Sequence, residues 1–242
     1  MNDILKNLAV LSFEIGNDCN LKHEHHDKCP INHRIYRNKN YELSIEKILK
    51  CIDEAVTLGF NGHIAFHYYN EPLLYKDKIE TIINLRKERK YLLITNGLLL
   101  DRNVDNNSII ELFDRVYITC YNSNDMCFFK GIKNKYANVK IFDWELDDRV
   151  QIYTSEYKNL LGCKRPQFEL PIDYYGNIHL CCCDWNNQHY IGNVYEKTLH
   201  EILISPVYKN ILQMTKQRML DYNTAPEVCK RCKQVVYIKL EV

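Results

Sequence analysis

Short β-rich segments alternate with amphipathic helical segments through the first 142 residues, and this alternation constrains the fold most. The strand-like runs cover residues 9–15, 62–68, 91–95, 116–120 and 139–142. Apolar side chains recur at helical spacing in residues 43–58 and 73–89. Strands that are separated by helices form a parallel sheet, because the chain must cross back over the sheet before it pairs again. The sequence therefore predicts an α/β fold with its chemistry at the carboxyl ends of the strands.

The pattern changes near residue 150, which predicts a domain boundary with one domain over residues 1–150 and another over residues 151–242. Residues 168–172 and 177–181 flank Tyr174-Tyr175-Gly176, which indicates an antiparallel hairpin. Ser108 with Glu111, and Thr198 with Glu201, have the spacing of capping boxes that open helices. Pro206 is expected to begin another helix, and its apolar face is predicted to carry Val207, Ile211 and Met214.

Eleven cysteines stand in a chain whose N-terminus has neither the flanks nor the cleavage site of an export signal. A disulfide framework explains them poorly, because the number is odd and the protein is expected to be cytoplasmic. Thiolates that bind a metal or an iron–sulfur cluster explain them better. Cys51, Cys120 and Cys127 are interpreted instead as packing residues, a common role for free cysteine.

The cysteines of the C-terminal half have the spacing of a metal site. Cys163, Cys181 and the pair Cys229 and Cys232, which are separated by two residues, supply four thiolates. Such a set suits either structural zinc or a [4Fe–4S] cluster, and the spacing alone does not choose between them. Cys182 and Cys183 follow Cys181 directly and are alternates for the second ligand, since three adjacent side chains cannot all face one metal.

The order of features from residue 163 to residue 232 resembles the SPASM/twitch extension that follows the catalytic domain of many radical S-adenosylmethionine (SAM) enzymes. The matching features are Cys163, Gly176, Cys181-Cys182, Asp184-Trp185, Ile191-Gly192-Asn193 and the pair Cys229 and Cys232. The resemblance implies a small α+β domain in which Cys163, Cys181, Cys229 and Cys232 bind one auxiliary [4Fe–4S] cluster.

The N-terminal half resembles the partial (β/α) barrel of radical SAM enzymes. Cys19-Asn20-Leu21 follows the first strand, and Asn70-Glu71-Pro72 is similar to the turn that holds the amino group of the SAM methionine. Leu93-Ile94-Thr95-Asn96-Gly97 is similar to a further strand end of the family. The SAM-binding residues that the resemblance implies are Asn70, Glu71, Pro72, Thr95 and Asn96.

The loop after the first strand departs from the family's usual CxxxCxxC spacing. Counted from Cys19, the second and third positions of that motif are His23 and His26. The next cysteine is Cys29, and His33 lies close to the position of a third. We therefore expect Cys19 and Cys29 to bind a first cluster that is completed by a histidine, with His23, His26 and His33 as candidates. Zinc is the alternative metal here, because it accepts mixtures of imidazole and thiolate.

These features predict an iron–sulfur enzyme that generates a 5′-deoxyadenosyl radical and oxidises or modifies a sugar, an aminocyclitol or a peptide. The resemblance implies a second [4Fe–4S] cluster with SAM, and an electron donor such as flavodoxin or ferredoxin. The degenerate first motif supports an alternative, in which the protein does not cleave SAM and serves as a metal- or iron–sulfur-binding recognition or partner protein. Nucleic acid and membrane partners are not expected, since 32 Lys and Arg balance 31 Asp and Glu and no segment is long and apolar enough to span a bilayer.

Overall fold

A computed structural model describes residues 4–21, 29–32, 41–143, 163, 165–216 and 226–231. Its centre is a sheet formed by β1 (Val10–Phe13), β2 (His63–Ala65), β3 (Lys90–Thr95), β4 (Arg115–Cys120), β5 (Val139–Asp143) and β6 (Glu169–Ile172). The six strands lie in the order β5-β4-β3-β2-β1-β6, and every neighbouring pair is parallel. The predicted parallel sheet is thus confirmed.

Helices pack against one face of this sheet, the first four in connections between strands and the last three after β6. The helices are α1 (Ile45–Thr57), α2 (Lys76–Leu85), α3 (Met126–Lys135), α4 (Arg165–Phe168), α5 (Leu199–Ile204), α6 (Pro206–Lys216) and α7 (Glu227–Arg231). Helix α1 begins where the Ser44 side chain accepts a hydrogen bond from the N–H of Lys47. The apolar stripe of α1 (Ile48, Cys51, Ile52 and Ala55) is buried in the main core, as its spacing predicts.

The two faces of the sheet bury different amounts of apolar surface. On β1, Leu11 and Phe13 point into the main core beneath the helices. Val10 belongs to a small second cluster on the opposite face, with Ala65 and Leu92. Because side chains alternate along a strand, the residues in register with Val10 and Ser12 share that second face. This face is the inner, lumen side of the partial barrel.

Several local predictions differ from the structure. Residues 108–112 form a 3-10 helix without a side-chain cap, so the capping box predicted for Ser108 and Glu111 is wrong there. The side chain of Asn107 instead accepts from the N–H of Asp101 and donates to its carbonyl. The helix predicted over residues 73–89 divides into a 3-10 turn at Pro72–Tyr75 and α2. Helix α3 was not predicted at all.

The second half of the chain contains one confirmed cap and two differences. Thr198 and Glu201 form the predicted capping box at α5. Val207 is exposed, whereas Tyr208 and Ile211 carry the buried face of α6. The hairpin turn exists, since Ile172 bridges Ile178 in antiparallel fashion, but its first arm is β6, which pairs with β1 in parallel.

The boundary near residue 150 falls outside the described residues and stays a prediction. In the part of the chain that the structure covers, no helix combines the length and the apolar character that crossing a membrane requires.

Candidate functional site

The carboxyl edge of the sheet gathers three of the predicted SAM-binding residues around one buried carboxylate. Glu71 Oε1 accepts hydrogen bonds from the Thr95 hydroxyl at 2.6 Å and the Leu73 N–H at 3.0 Å. Glu71 Oε2 accepts from the Asn96 N–H at 2.9 Å. Burial raises the pKa of Glu71, and these three donors oppose the rise. Within the described residues, Oε2 accepts one hydrogen bond and so keeps capacity for a further donor.

The turn that carries Glu71 is tied to the strands on both sides. The Asn70 side chain accepts from the N–H of Tyr68 and donates to the carbonyl of Phe66, which closes the turn locally. The N–H of Glu71 donates to the carbonyl of Asp18, which immediately precedes Cys19. Pro72 follows as the first residue of the 3-10 turn that Glu71 caps. The loops after β1, β2 and β3 are therefore held together at this edge.

Cys19 lies beside this group of loops. Its Sγ accepts a hydrogen bond from the Leu21 N–H at 3.4 Å and lies 3.9 Å from Asn96 Nδ2. Burial raises the pKa of the Cys19 thiol to about 11, and the nearby negative charges of Glu71 and Cys29 add to the rise. Because the thiolate is the form that binds metal, Cys19 would release its proton on binding one.

The remaining candidates for the first cluster are described only in part. Cys29 is half-buried and close enough to Cys19 to influence its ionisation. His23, His26 and His33 lie outside the described residues, so their part in a metal site stays a prediction. Among the residues that the structure does describe, no three His, Cys, Asp or Glu side chains are grouped to hold a metal ion.

The C-terminal cysteines differ in burial and in their hydrogen bonds. Cys163 and Cys229 are half-buried, and Cys181 is 9% exposed. Cys232 lies outside the described residues. Cys163 Sγ accepts from the Arg165 N–H at 3.3 Å, and Cys181 Sγ accepts from the Cys183 N–H at 3.4 Å.

One backbone pattern is common to the sulfurs of Cys19, Cys163 and Cys181. Each accepts the N–H of the residue two positions further along the chain. Such N–H groups stabilise thiolate charge and are among the features that tune iron–sulfur clusters. The sulfurs of these three cysteines are therefore suited to bind a cluster.

The cysteines interpreted as packing residues separate into two groups. Cys51 and Cys120 are buried, as expected. Cys127 is exposed, so its interpretation as a packing residue is wrong: it occupies the outer face of α3, whose buried face carries Phe129 and Ile132.

Two tyrosines connect the loop after β2 to the turn that contains Cys181. The Tyr68 hydroxyl donates to the carbonyl of Cys181 at 3.0 Å and to that of Asp184 at 3.3 Å. The Tyr69 hydroxyl donates to the carbonyl of Cys182. Since Tyr68 and Tyr69 immediately precede Asn70 and Glu71, one short segment contacts both predicted cofactor regions.

A buried histidine also contacts the turn that contains Cys181. His179 is 1% exposed, its Nδ1 lies 2.7 Å from the Asp184 carbonyl, and its Nε2 lies 2.8 Å from Asp173 Oδ2. Each ring nitrogen thus faces an oxygen atom, so the ring is held between the two aspartates. Burial would raise the pKa of Asp173, but hydrogen bonds from His179 and Asn177 hold it below its usual value. The turn therefore rests on a buried contact between His179 and Asp173.

Sequence reasoning missed Tyr68 and His179. Tyr68 and Tyr69 stand as a pair at the end of a predicted strand, but nothing in their spacing shows that they contact the turn that contains Cys181. Nothing in the spacing of His179 indicates its burial, because its partner Asp173 lies across the hairpin turn.

Comparison with known proteins identifies the C-terminal region. Residues 163–233 match the family model of the SPASM iron–sulfur cluster-binding domain. Over its length the chain is 22% identical to the S-adenosyl-L-methionine-dependent 2-deoxy-scyllo-inosamine dehydrogenase of Niallia circulans, covering 95% of this chain and 94% of that one.

Solved structures extend the likeness to the whole fold. The crystal structure of BtrN in complex with AdoMet and 2-DOIA matches with a TM-score of 0.74 and 20% identity, over 97% of this chain and 95% of that one. SuiB of Streptococcus suis bound to the precursor peptide SuiA matches with a TM-score of 0.51 and 12% identity, over 96% of this chain and 72% of that one. These likenesses confirm the predicted fold class, a radical SAM-like partial barrel followed by a SPASM-type domain.

Proposed function

We propose that this chain, which has the radical SAM fold and a SPASM-type domain, is an oxidoreductase that uses SAM to oxidise or modify an aminocyclitol, a sugar or a peptide. The observation that carries the proposal is the position of Cys19, Glu71 and Asn96 on one sheet edge, in direct continuity with the Cys181 turn through Tyr68 and Tyr69. The names of the similar proteins support both substrate classes.

The residues proposed for the first site are Cys19 and Cys29 with one histidine from His23, His26 and His33. When bound, a [4Fe–4S] cluster with SAM supplies the radical that removes a substrate hydrogen atom. Glu71, together with the backbone of Asn70 and Pro72, would hold the SAM ammonium group through the free capacity of Oε2. Thr95 and Asn96 orient that carboxylate, and the buried edge excludes water from it.

For the auxiliary cluster we propose Cys163, Cys181, Cys229 and Cys232 as ligands. The N–H···S contact at Cys181 supports Cys181 as the second ligand. Cys183 is less exposed, at 3%, than Cys181, at 9%, which supports a structural role for Cys183. Replacing Cys181 with Ala should therefore release the auxiliary iron, while Cys182→Ala and Cys183→Ala should retain it.

Anaerobic reconstitution followed by metal analysis tests the proposal. Two [4Fe–4S] clusters give about eight irons per chain, and dithionite with SAM should then yield 5′-deoxyadenosine. Cys19→Ala should lose the product and half of the iron, Cys229→Ala should lose the other half, and the exposed Cys127→Ala is the matched control. Zinc without iron would refute both cluster assignments.

The alternative is a recognition or partner protein that does not cleave SAM, and the histidines in place of two motif cysteines favour it. Histidine ligation raises the reduction potential of an iron–sulfur cluster, which makes the reductive cleavage of SAM harder. One [4Fe–4S] cluster gives about four irons per chain. If the protein binds that amount, and loses it in Cys229→Ala but not in Cys19→Ala, this alternative is established.

We place the protein in the cytoplasm, because thiolate ligands of this number need a reducing compartment. Its electron donor is proposed to be a flavodoxin or a ferredoxin. Zinc stays the alternative metal at either cysteine set.

A further inference from the structure

Residues 68–71, called here the connecting segment, join the two proposed cofactor sites within four consecutive residues. At one end of the segment, Glu71 supplies the carboxylate of the proposed SAM-binding edge. At the other end, the hydroxyls of Tyr68 and Tyr69 donate to three carbonyls of the turn over residues 181–184. The same short stretch of backbone is therefore bonded to both sites.

The connecting segment is held along its length. Its backbone N–H groups donate hydrogen bonds to Asn70 Oδ1, to Glu14 Oε1 and to the carbonyl of Asp18. The rings of Tyr68 and Tyr69 pack edge to face, with their centroids 4.4 Å apart. The segment contains no glycine, the residue with the greatest backbone freedom. It therefore has little freedom to absorb a displacement at either end.

Other contacts attach the C-terminal region to the barrel. Strand β6 pairs with β1 over four residues, and on the outer side Glu54 of α1 accepts a hydrogen bond from the Leu199 N–H at 2.6 Å. The hydroxyls of Tyr68 and Tyr69 add a contact at the turn that carries the proposed ligand Cys181. Attachment of the region alone does not require a contact at that turn.

We propose that the connecting segment couples the two sites, so that a SAM-type ligand at Glu71 and the auxiliary cluster at Cys181 each favour binding of the other. A bound cluster restrains the turn over residues 181–184, and the carbonyls of that turn then restrain the two tyrosines. Because less of the segment remains to be ordered, the ligand at Glu71 binds at a lower cost in conformational entropy. The inference rests on the proposed function, and it makes Tyr68 and Tyr69 positioning residues.

The affinity for S-adenosylhomocysteine tests the coupling without depending on SAM cleavage. This probe carries the amino and carboxyl groups of SAM, but it has a thioether in place of the sulfonium. In anaerobic equilibrium dialysis, reconstituted Cys229→Ala should bind it with a dissociation constant about fivefold higher than the wild type, the lower end of the range for coupled sites. In the Tyr68→Phe/Tyr69→Phe background, the same Cys229→Ala substitution should change the dissociation constant by less than about twofold, since uncoupled effects add.

Tyr195→Phe is the matched control background. The Tyr195 hydroxyl accepts a hydrogen bond from the Ser44 N–H at 3.4 Å, so it also joins the C-terminal region to the barrel, but at the start of α1. Cys229→Ala should keep its effect of about fivefold in this background. The melting temperature of each variant shows whether it is folded.

The electron paramagnetic resonance spectrum of the reduced protein gives a second readout, which does not depend on the stability of Cys229→Ala. The signal of the auxiliary cluster is the one that Cys19→Ala retains. S-adenosylhomocysteine should shift the g values of this signal in the wild type and in Tyr195→Phe. It should leave them unchanged in Tyr68→Phe/Tyr69→Phe, although all three proteins bind the probe.

The outcomes separate the coupling from the proposed function. Equal dissociation constants with and without the auxiliary cluster, or an unshifted signal in the wild type, would overturn the coupling and leave the proposed function standing. An undiminished effect of Cys229→Ala in the Tyr68→Phe/Tyr69→Phe background would overturn the role of the connecting segment. Failure of the reconstituted wild type to bind the probe would refute both the coupling and the proposed function. Coupled binding without 5′-deoxyadenosine formation from SAM would refute the proposed function alone.

Discussion

Removal of the Tyr68 hydroxyl tests whether the loop after β2 holds the Cys181 turn in place. Tyr68→Phe deletes the donor to the carbonyls of Cys181 and Asp184 and leaves the ring in its buried position. Tyr91→Phe is the matched control, because its hydroxyl donates to the Arg86 carbonyl at 2.9 Å from the opposite edge of the sheet.

The expected cost is modest for both variants. In Tyr68→Phe the two carbonyls keep other donors, since Cys181 O accepts from the Asp184 N–H at 3.0 Å and Asp184 O accepts from His179. The free energy of unfolding should fall by about 1 kcal/mol, the net value of one such hydrogen bond. For a chain of this length that lowers the melting temperature by about 2–4 °C.

The two variants should differ in how fast they lose iron. In the Cys19→Ala background, where the auxiliary cluster alone remains, a ferrous chelator should remove iron from Tyr68→Phe about fivefold faster, the factor that 1 kcal/mol gives. Tyr91→Phe should release iron at the wild-type rate despite its similar loss of stability. Equal release rates in the two variants would show that the tyrosine contact does not support the ligand turn.

Three further predictions concern stability. Asp173→Asn should cost about 2 kcal/mol at neutral pH, because it removes the buried carboxylate that His179 and Asn177 contact. The folded-state pKa of Asp173 is depressed, so the wild type should lose this stability as the pH falls from about 5 through that pKa, while the urea midpoints of the variant should change less with pH. Gly97→Ala should lower the free energy of unfolding by at least about 1 kcal/mol, since φ at Gly97 is +71° and the new Cβ would lie 2.7 Å from Phe129 Cε1. Gly131→Ala in α3 is the control, because its Cβ would meet only Val104, at 3.4 Å, and this variant should melt no lower than the wild type. Thr198→Ala should cost about 1 kcal/mol by thermal melting through loss of the α5 cap, and an unchanged melting temperature would contradict that role.

The strands and the first helix were predictable because their patterns are local. The short apolar run of β1 and the helical spacing of apolar residues on α1 depend only on which side chains face a core. Ser108 and Glu111 have the spacing of a capping box, but the Asn107 side chain bonds to Asp101 and fixes that segment as a 3-10 turn. Competition between alternative caps depends on contacts that sequence spacing does not report.

Nonlocal pairings account for the other differences. In the sequence, the segment that forms β6 looks like one arm of a hairpin. Only its last residue, Ile172, makes an antiparallel bridge to the other arm, whereas the strand itself pairs with β1, more than 150 residues away. On α6, the packing of Tyr208 rather than Val207 follows from where α5 and α4 lie. The ligand-type residues were predicted from motifs, whereas Tyr68 and His179 have no motif and reach the turn that contains Cys181 only in the folded chain.

The pairing of β1 with β6 also fixes the distance between two cysteine-containing turns. Cys19 follows the end of β1 by six residues and Cys181 follows the end of β6 by nine, and these strands are adjacent and parallel with a defined register. A slip of one residue in that register would displace one cysteine turn relative to the other by about 3.3 Å. The spacing between the two cysteine sites is thus set by the backbone hydrogen bonds between β1 and β6. An insertion that lengthens the segment between β5 and β6 should therefore leave that spacing unchanged.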